Sequence, residues 1–452
     1  MSFHFFFANK GDFLLDKIPS IVAISTSRKL SSNASYAMRI RRASDDAELD
    51  VGFAGNSIDN KAIKDFGGYN LLGYTEDLTN PVWTKSNAIT INPSTQKNPI
   101  DEGAGVFLFK SATSDTNKKF VSQQVNGQRI SGLGVISGYF KSSGGDVQLR
   151  AFGVGNQGIF ANFDLSNGTV GTVGSSVISA TIEASENGFY HCKLFVNHND
   201  PYTAGYALID NVNSGELPDI STPDIGFFVY GTQMVQGSTS LPYQPRLQGG
   251  ASDCFVTKWY DQSGNRNNAN QTVVTNQPKV YDVLTGEVTK ENGKPAMVFD
   301  GVNDFLKLID DNIIATQPNS IATVAARKGG TNSSDYLFDG ANGKQIIMIN
   351  PNDYALFSGH SITSSNSSDT NQHLFLGEFG LTTDTLFIDS IEVASGNAGS
   401  NNLGGMTIGR SLNNNNNTLN GVIQEMIIFD RNLTTKERTL LHSDINNHFN
   451  IY

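Results

Sequence analysis

Cysteine is scarce: Cys192 and Cys254 are the only two in 452 residues. Two thiols make neither a disulfide framework nor a zinc site. We expect both to be reduced and buried, as in a chain folded in a reducing cytoplasm. Charge is also scarce, at 17 % of residues, and leans negative, with 32 Lys and Arg against 43 Asp and Glu. That balance disfavours nonspecific binding to nucleic acid or anionic membrane. No apolar run approaches the ~20 residues of a membrane-spanning helix, so no membrane insertion is expected. The start, Met1–Asn9, is apolar but has no basic n-region and no small-residue cleavage site. No secretory leader is therefore expected. The seven histidines show no His-Glu-x-x-His or paired spacing. There is no Gly-x-Ser-x-Gly elbow and no phosphate loop, and no cofactor is expected.

Glycine and phenylalanine are plentiful, at 45 and 28 residues. Ser, Thr and Asn are abundant, which suits many short strands joined by turns. The length suggests two to three domains. One stretch organises the pattern: Val256-Thr257-Lys258-Trp259-Tyr260-Asp261-Gln262-Ser263-Gly264-Asn265. It reads as a buried strand running into a tight polar turn. Since side chains alternate along a strand, one of Trp259 and Tyr260 should be buried and the other should face a cleft or the opposite sheet. Further strand-length runs follow at regular spacing, among them Ile321–Ala326, Tyr354–Phe357, Leu374–Glu378 and Val422–Asp430. That spacing is what a two-sheet sandwich requires. Ile18–Leu30 reads as a strand followed by a helical turn. Tyr36–Arg42 reads as a strand whose arginines pair with Asp45, Asp46, Glu48 and Asp50. Leu433-Thr434-Thr435-Lys436-Glu437 is a capping box that opens a short amphipathic C-terminal helix. Asn413–Asn417 reads as an exposed loop tip.

Trp259–Asn265, Gln277-Pro278 and Phe299-Asp300-Gly301, with Ile24–Leu30 and Arg39–Asp45, resemble the concanavalin A-like domain of the arabinofuranosidase B family. In that family the two groups of motifs are close in sequence. Here residues 69–250 intervene. That segment opens with Asn70–Trp83, carries Phe163–Val170 and closes with Tyr230–Pro245. It resembles the jelly-roll, carbohydrate-binding-like module of phage tail proteins. The resemblances imply an all-β chain: a discontinuous concanavalin A-like β-sandwich over 1–68 and 251–452, interrupted by a jelly roll at 69–250. Insertion is easy where a module's ends lie close together. Pairing of Asp50–Phe66 with Cys254–Tyr260 would bring those ends together.

The family resemblance also implies carboxylates to look for. Its nucleophilic Glu lies shortly before a Leu-Phe-Ser-Gly stretch, here Leu356–Gly359, which puts Asp353 at that position. Asp is one methylene shorter, and a misplacement on the order of 1 Å is costly. The family's acid/base Asp belongs in the turn after Met406–Gly409, but Arg410–Asn414 holds no carboxylate. Asn cannot act as a general acid. Asp300, Asn303 and Asp304 have oxygen ligands at short spacing that could hold calcium, although an Asx turn needs no metal. What remains is binding, which combines aromatic faces with amide and carboxylate hydrogen-bonders on loops. The candidates are Trp259, Tyr260, Asp261, Gln262, Asn265, Asp353, Tyr354 and His360, with Trp83 and Tyr139 in the inserted segment. The expected function is that of a bacteriophage virion component, in tail, fibre or capsid surface, that binds host-surface glycans. It would be made in the host cytoplasm and released by lysis. A homo-oligomer is expected, as are contacts with other virion proteins through the Phe-rich N-terminus. The alternatives are an arabinofuranosidase-like polysaccharide hydrolase and a purely structural decoration protein.

Overall fold

The computed structural model describes residues 13–86, 89–112, 117–125, 132–152, 158–198, 203–246, 249–308, 314–329, 334–340, 344–411 and 417–452. The Phe-rich residues 1–12, the turn residues 412–414 and most of the Asn run lie outside the described residues.

The chain is built from antiparallel strands. In the larger assembly one sheet runs from Ile391–Gly396 through Asp384–Ile388, Gln372–Phe379 and Asn319–Arg327 to Asn420–Phe429. The far edge of Asn420–Phe429 is shared by Val22–Ser25 and Met297–Asp300. The facing sheet runs from Ser361–Thr363 through Tyr354–Phe357, Ile346–Ile349, Asp335–Gly340 and Met406–Ile408 to Leu306–Leu308. It continues through Ala269–Asn270, Cys254–Trp259, Met38–Arg42 and Glu48–Val51. Lys279–Asp282 pairs with both Cys254–Trp259 and Met297–Asp300, so the ladder wraps from one sheet to the other.

Strand Asn319–Arg327 is buried at all nine positions. Its alternation explains this, because successive side chains point to opposite faces. Ile321 and Ala325 meet the core between the sheets. Ala322 and Val324 meet a second core under the helix Thr435–Phe449, with Leu441, Ile445 and Phe449. That helix starts at the expected capping box: Glu437 N donates to Thr434 Oγ1 at 3.3 Å, and Thr434 N donates to Glu437 Oε2 at 2.9 Å. Arg28 ties it to the sheet through Glu425 at 2.7 Å and Asp444 at 2.5 Å. The arginine strand pairs as expected, Arg39 with Asp50 at 2.7 Å, Arg41 with Asp46 at 2.8 Å and Arg42 with Asp45 at 2.5 Å.

Two local expectations are corrected. Cys254–Trp259 pairs with Met38–Arg42, and Asn60–Gly67 is a helix capped by Asp59 rather than a strand. The helical turn near the start, Leu14–Lys17, precedes the first strand instead of following it.

Residues 84–236 supply two further six-stranded sheets. Among the described residues, none of their strands pairs with a strand outside that range. Phe109 and Phe227, cross-strand neighbours in one sheet, stack at 4.8 Å, and Tyr206 of the other sheet meets Phe227 at 5.8 Å. Opening and closing motifs are tied together: Asn70 Oδ1 accepts from Met234 N at 3.1 Å, and Asn70 Nδ2 donates to the Gln244 carbonyl at 2.9 Å. The flanking segments also meet, with Ser252 N donating to Gly67 O at 3.3 Å, and Ala251 N donates to Asn70 O of the opening motif at 2.7 Å.

Candidate functional site

Cys254–Trp259 ends by sending Trp259 inward and Tyr260 outward. Trp259 is 0 % exposed in the core. Tyr260 N donates to the Ala37 carbonyl at 2.9 Å, which brings Tyr36 beside it. The two tyrosine rings lie 5.7 Å apart at 41°. Tyr36 is 48 % exposed. Tyr260 is oriented by its hydroxyl, which donates to Asp50 Oδ1 at 2.7 Å. Burial, then Asp50, pushes the phenol up to about 12, so it remains a donor. Asp50 is held low chiefly by its hydrogen bond from Arg39. Lys258 Nζ sits 5.5 Å from the Tyr260 ring centroid.

The polar turn after Tyr260 is fixed by its own side chains. Asp261 Oδ1 accepts from Ala23 N and Ser263 N, each at 2.9 Å. Its Oδ2 accepts from Ser263 Oγ at 2.7 Å and Asn267 N at 3.0 Å. Gln262 is buried, with Oε1 taking Leu30 N at 2.7 Å and Nε2 reaching Arg28 O at 3.2 Å. Gly264 has φ +94°, a left-handed value that glycine adopts without strain. Asn265 Nδ2 bonds back to Ile21 O at 3.1 Å.

These residues and the loop before Met38 enclose a cleft of about 560 Å³. Tyr36 and Tyr260 form its aromatic wall, with Asn33, Ser35, Arg266 and Asn268 around them. Asn268 Oδ1 accepts from Asp261 N at 2.9 Å, and its Nδ2 has no protein partner among the described residues. The Asn33 side-chain amide and the Arg266 guanidinium are likewise unpaired among the described residues, the Asn33 backbone N–H donating to Ser31 Oγ at 3.3 Å. The cleft thus offers ring faces beside unspent hydrogen-bond donors, on a rigid strand–turn frame.

No protein-family model matches the chain, and no curated protein matches it. Solved structures do resemble it. A Trypanosoma rangeli sialidase aligns over 76 % of this chain and 61 % of its own, at 11 % identity and a TM-score of 0.32. A GH54 α-L-arabinofuranosidase aligns over 95 % of this chain and 63 % of its own, at 10 % identity and a TM-score of 0.40. A Bacteroides ovatus protein described as carbohydrate binding aligns over 79 % and 80 %, at 8 % identity and a TM-score of 0.28. The chain thus spans about three-fifths of the length of the sialidase and the arabinofuranosidase.

Of the residues singled out in the sequence, Tyr260, Asp261 and Gln262 line the cleft together. Asn265 helps to hold the turn without lining the cleft, and Trp259 is closed off in the core. Asp353, Tyr354 and His360 lie elsewhere. Asp353 accepts from Asn350 Nδ2 at 2.6 Å, His360 is exposed, and Tyr354 is buried with its hydroxyl 3.3 Å from His373 Nε2. Trp83 is buried, its Nε1 donating to Tyr74 O at 3.0 Å. Tyr139 stacks on His191 at 4.2 Å and 16°. In the Asp300 turn, Asp300 Oδ1 accepts amide hydrogens from Val302, Asn303 and Asp304 at 2.8, 3.1 and 3.3 Å. Among the described residues no group of three or more His, Cys, Asp or Glu is placed to hold a metal ion.

The sequence reading missed Tyr36, Asn33, Ser35, Arg266 and Asn268. A signal existed: Tyr36 precedes one strand and Tyr260 ends another. Only the register joins them, and that register needed Met38–Arg42 rather than Asp50–Phe66 as the partner.

Proposed function

We propose that the protein binds glycans in the Tyr36–Tyr260 cleft. The observation that carries this reading is the tilted pair of tyrosine rings beside unpaired amide donors. A sugar ring presents an apolar C–H face and a rim of hydroxyls. The exposed Tyr36 face takes the former, and Asn33, Asn268 and Arg266 take the latter. Both Asp261 oxygens already accept two hydrogen bonds each, so this carboxylate positions the turn. On this reading the cleft recognises a sugar without cleaving it.

The motif resemblances support placing that recognition on a bacteriophage particle, in a tail, fibre or capsid-surface protein that contacts host-surface glycans. On this reading residues 69–250 are an inserted jelly-roll module, and copies of the chain associate with each other and with other virion proteins. Weak single sites, on the order of micromolar to millimolar, gain strength from display in many copies. The test is a glycan array run beside a reducing-sugar release assay. Binding without sugar release supports the proposal, and release of reducing ends makes the hydrolase reading the better one. Mass spectrometry of purified particles tests the virion assignment.

A further inference from the structure

A second cleft, of about 620 Å³, lies at the Asp300–Asp304 turn. Its cations are already engaged. Arg41 donates from Nε to Gln277 Oε1 and from Nη1 to Asp46 Oδ1, each at 2.8 Å. Its guanidinium also sits 5.5 Å from the centroid of the Phe255 ring. Lys279 pairs with Asp253 at 3.3 Å and Asp282 at 2.9 Å.

Two of its carboxylates have no paired cation among the described residues. Asp304 is 7 % exposed, and its Oδ2 accepts only from Asp300 N at 3.0 Å. Its Oδ1 has no protein partner among the described residues. Asp300 spends Oδ1 on the three turn amides and leaves Oδ2 open. Both side chains line the cleft, and their open oxygens are hydrogen-bond acceptors that a ligand's donors can fill. Apolar surface surrounds this pair. Val274 and Val302 are exposed, and Val298 and Phe255 complete the wall. An anion finds no free cation here. A neutral apolar molecule leaves both carboxylates unanswered.

We propose that this cleft is a ligand site, separate from the Tyr36–Tyr260 cleft, that takes a primary alkylammonium group. Its ammonium sits on Asp304 Oδ1 and Asp300 Oδ2, and its carbon stem lies along Val274, Val298 and Val302. Three N–H donors on one charge match unused carboxylate oxygens, and charge-assisted bonds of this kind are the stronger ones. A lysine side chain of a partner protein and a free amine share this chemistry.

Proton linkage follows from the same geometry. Burial first, and Asp300 second, push Asp304 up to about 7. The other charged groups facing the cleft are Arg41, Asp46, Asp253 and Lys279, all paired with one another or with Asp282. An ammonium ion must displace the Asp304 proton, so affinity should rise with pH through that value.

The experiment is an NMR titration of the intact chain with n-butylammonium chloride at pH 6 and pH 8 and constant ionic strength. Competition with one proton at about 7 gives roughly tenfold tighter binding at pH 8. Asp304→Asn keeps an acceptor for Asp300 N and should bind several-fold more weakly, with no pH dependence. Val302→Ala, on an exposed side chain, should weaken binding without changing the melting temperature. n-Butanol should not bind. Nα-acetyl-lysine methylamide and cadaverine then separate the two sources: tighter binding of the first points to a lysine side chain, and of the second to a free amine. Equal affinity at both pH values, wild-type binding by Asp304→Asn, binding of butanol, or calcium binding with no ammonium binding would each overturn the proposal.

Discussion

Tyr36 and Tyr260 lie with ring centroids 5.7 Å apart, and only the second is anchored, by its hydroxyl on Asp50. The two should therefore respond differently to substitution. Tyr260→Phe keeps the ring and removes the hydrogen bond, so stability should fall by about 1 kcal/mol while glycan affinity stays close to wild type. Tyr36→Ala should leave the unfolding midpoint close to wild type, because about half of its surface is in solvent. Denaturant unfolding of both variants checks this. A large stability loss in Tyr36→Ala would make it a packing residue.

Trp259 centres the sandwich core. Trp259→Ala should cost about 3–5 kcal/mol, as for other buried aromatic truncations. Arg28→Ala should be comparably severe, about 3–5 kcal/mol, because it strands Glu425, whose side chain is 1 % exposed. Urea midpoints measure both. Marginal shifts would show that this strand and this ion pair do not hold the sheet to its helix.

The pH dependence of stability has an identifiable source in His373. Its Nδ1 bonds to Asp389 at 2.6 Å and its Nε2 to Asp369 at 2.9 Å. Burial works against its charge, but the hydrogen bonds to the two aspartates outweigh it and the pKa is raised. The stabilisation is complete below the unfolded value, near 6.5, and is lost as pH rises through the higher folded value. Asp304 has the same sign, losing stability from about pH 4 up to about 7. His191 and His442, both lowered to about 4 by burial, act oppositely and lose stability as pH falls below 6.5. His373→Asn should flatten the thermal-stability profile above pH 6.5 only. An unchanged slope there would exclude His373 as its origin.

The flanks of residues 69–250 are bonded to each other through Ser252 N to Gly67 O, and Ala251 N reaches Asn70 O at the start of the segment. Replacing 69–250 by a short Gly/Ser joint should leave a soluble, folded sandwich, and 69–250 alone should fold. Circular dichroism and gel filtration of both pieces measure this. Aggregation of the first together with an unfolded second would contradict two independent units.

The strands of the sandwich were legible because buried strands between Gly, Asn and Pro turns are short apolar runs. Tyr354–Phe357 appears at its expected bounds. Thr434 and Glu437 announced the last helix because a capping box is local chemistry. The Asp59-capped helix at Asn60–Gly67 was hidden because it buries little more than Ile63 and so lacks a long apolar period. The site was half legible for a related reason. Tyr260, Asp261 and Gln262 are contiguous, but Tyr36 and Asn33 join them only through pairing between strands distant in sequence. Asp353, placed by a motif count, stands apart because counting along a chain does not give the fold's register.

The central claim is tested most directly by calorimetric titration of purified host-surface oligosaccharide into wild type and Tyr36→Ala. Loss of one stacking face, about 1 kcal/mol, predicts roughly fivefold weaker binding by the variant, with closely similar unfolding midpoints. Equal affinities, or no binding by wild type at millimolar oligosaccharide, would contradict glycan recognition at the Tyr36–Tyr260 cleft.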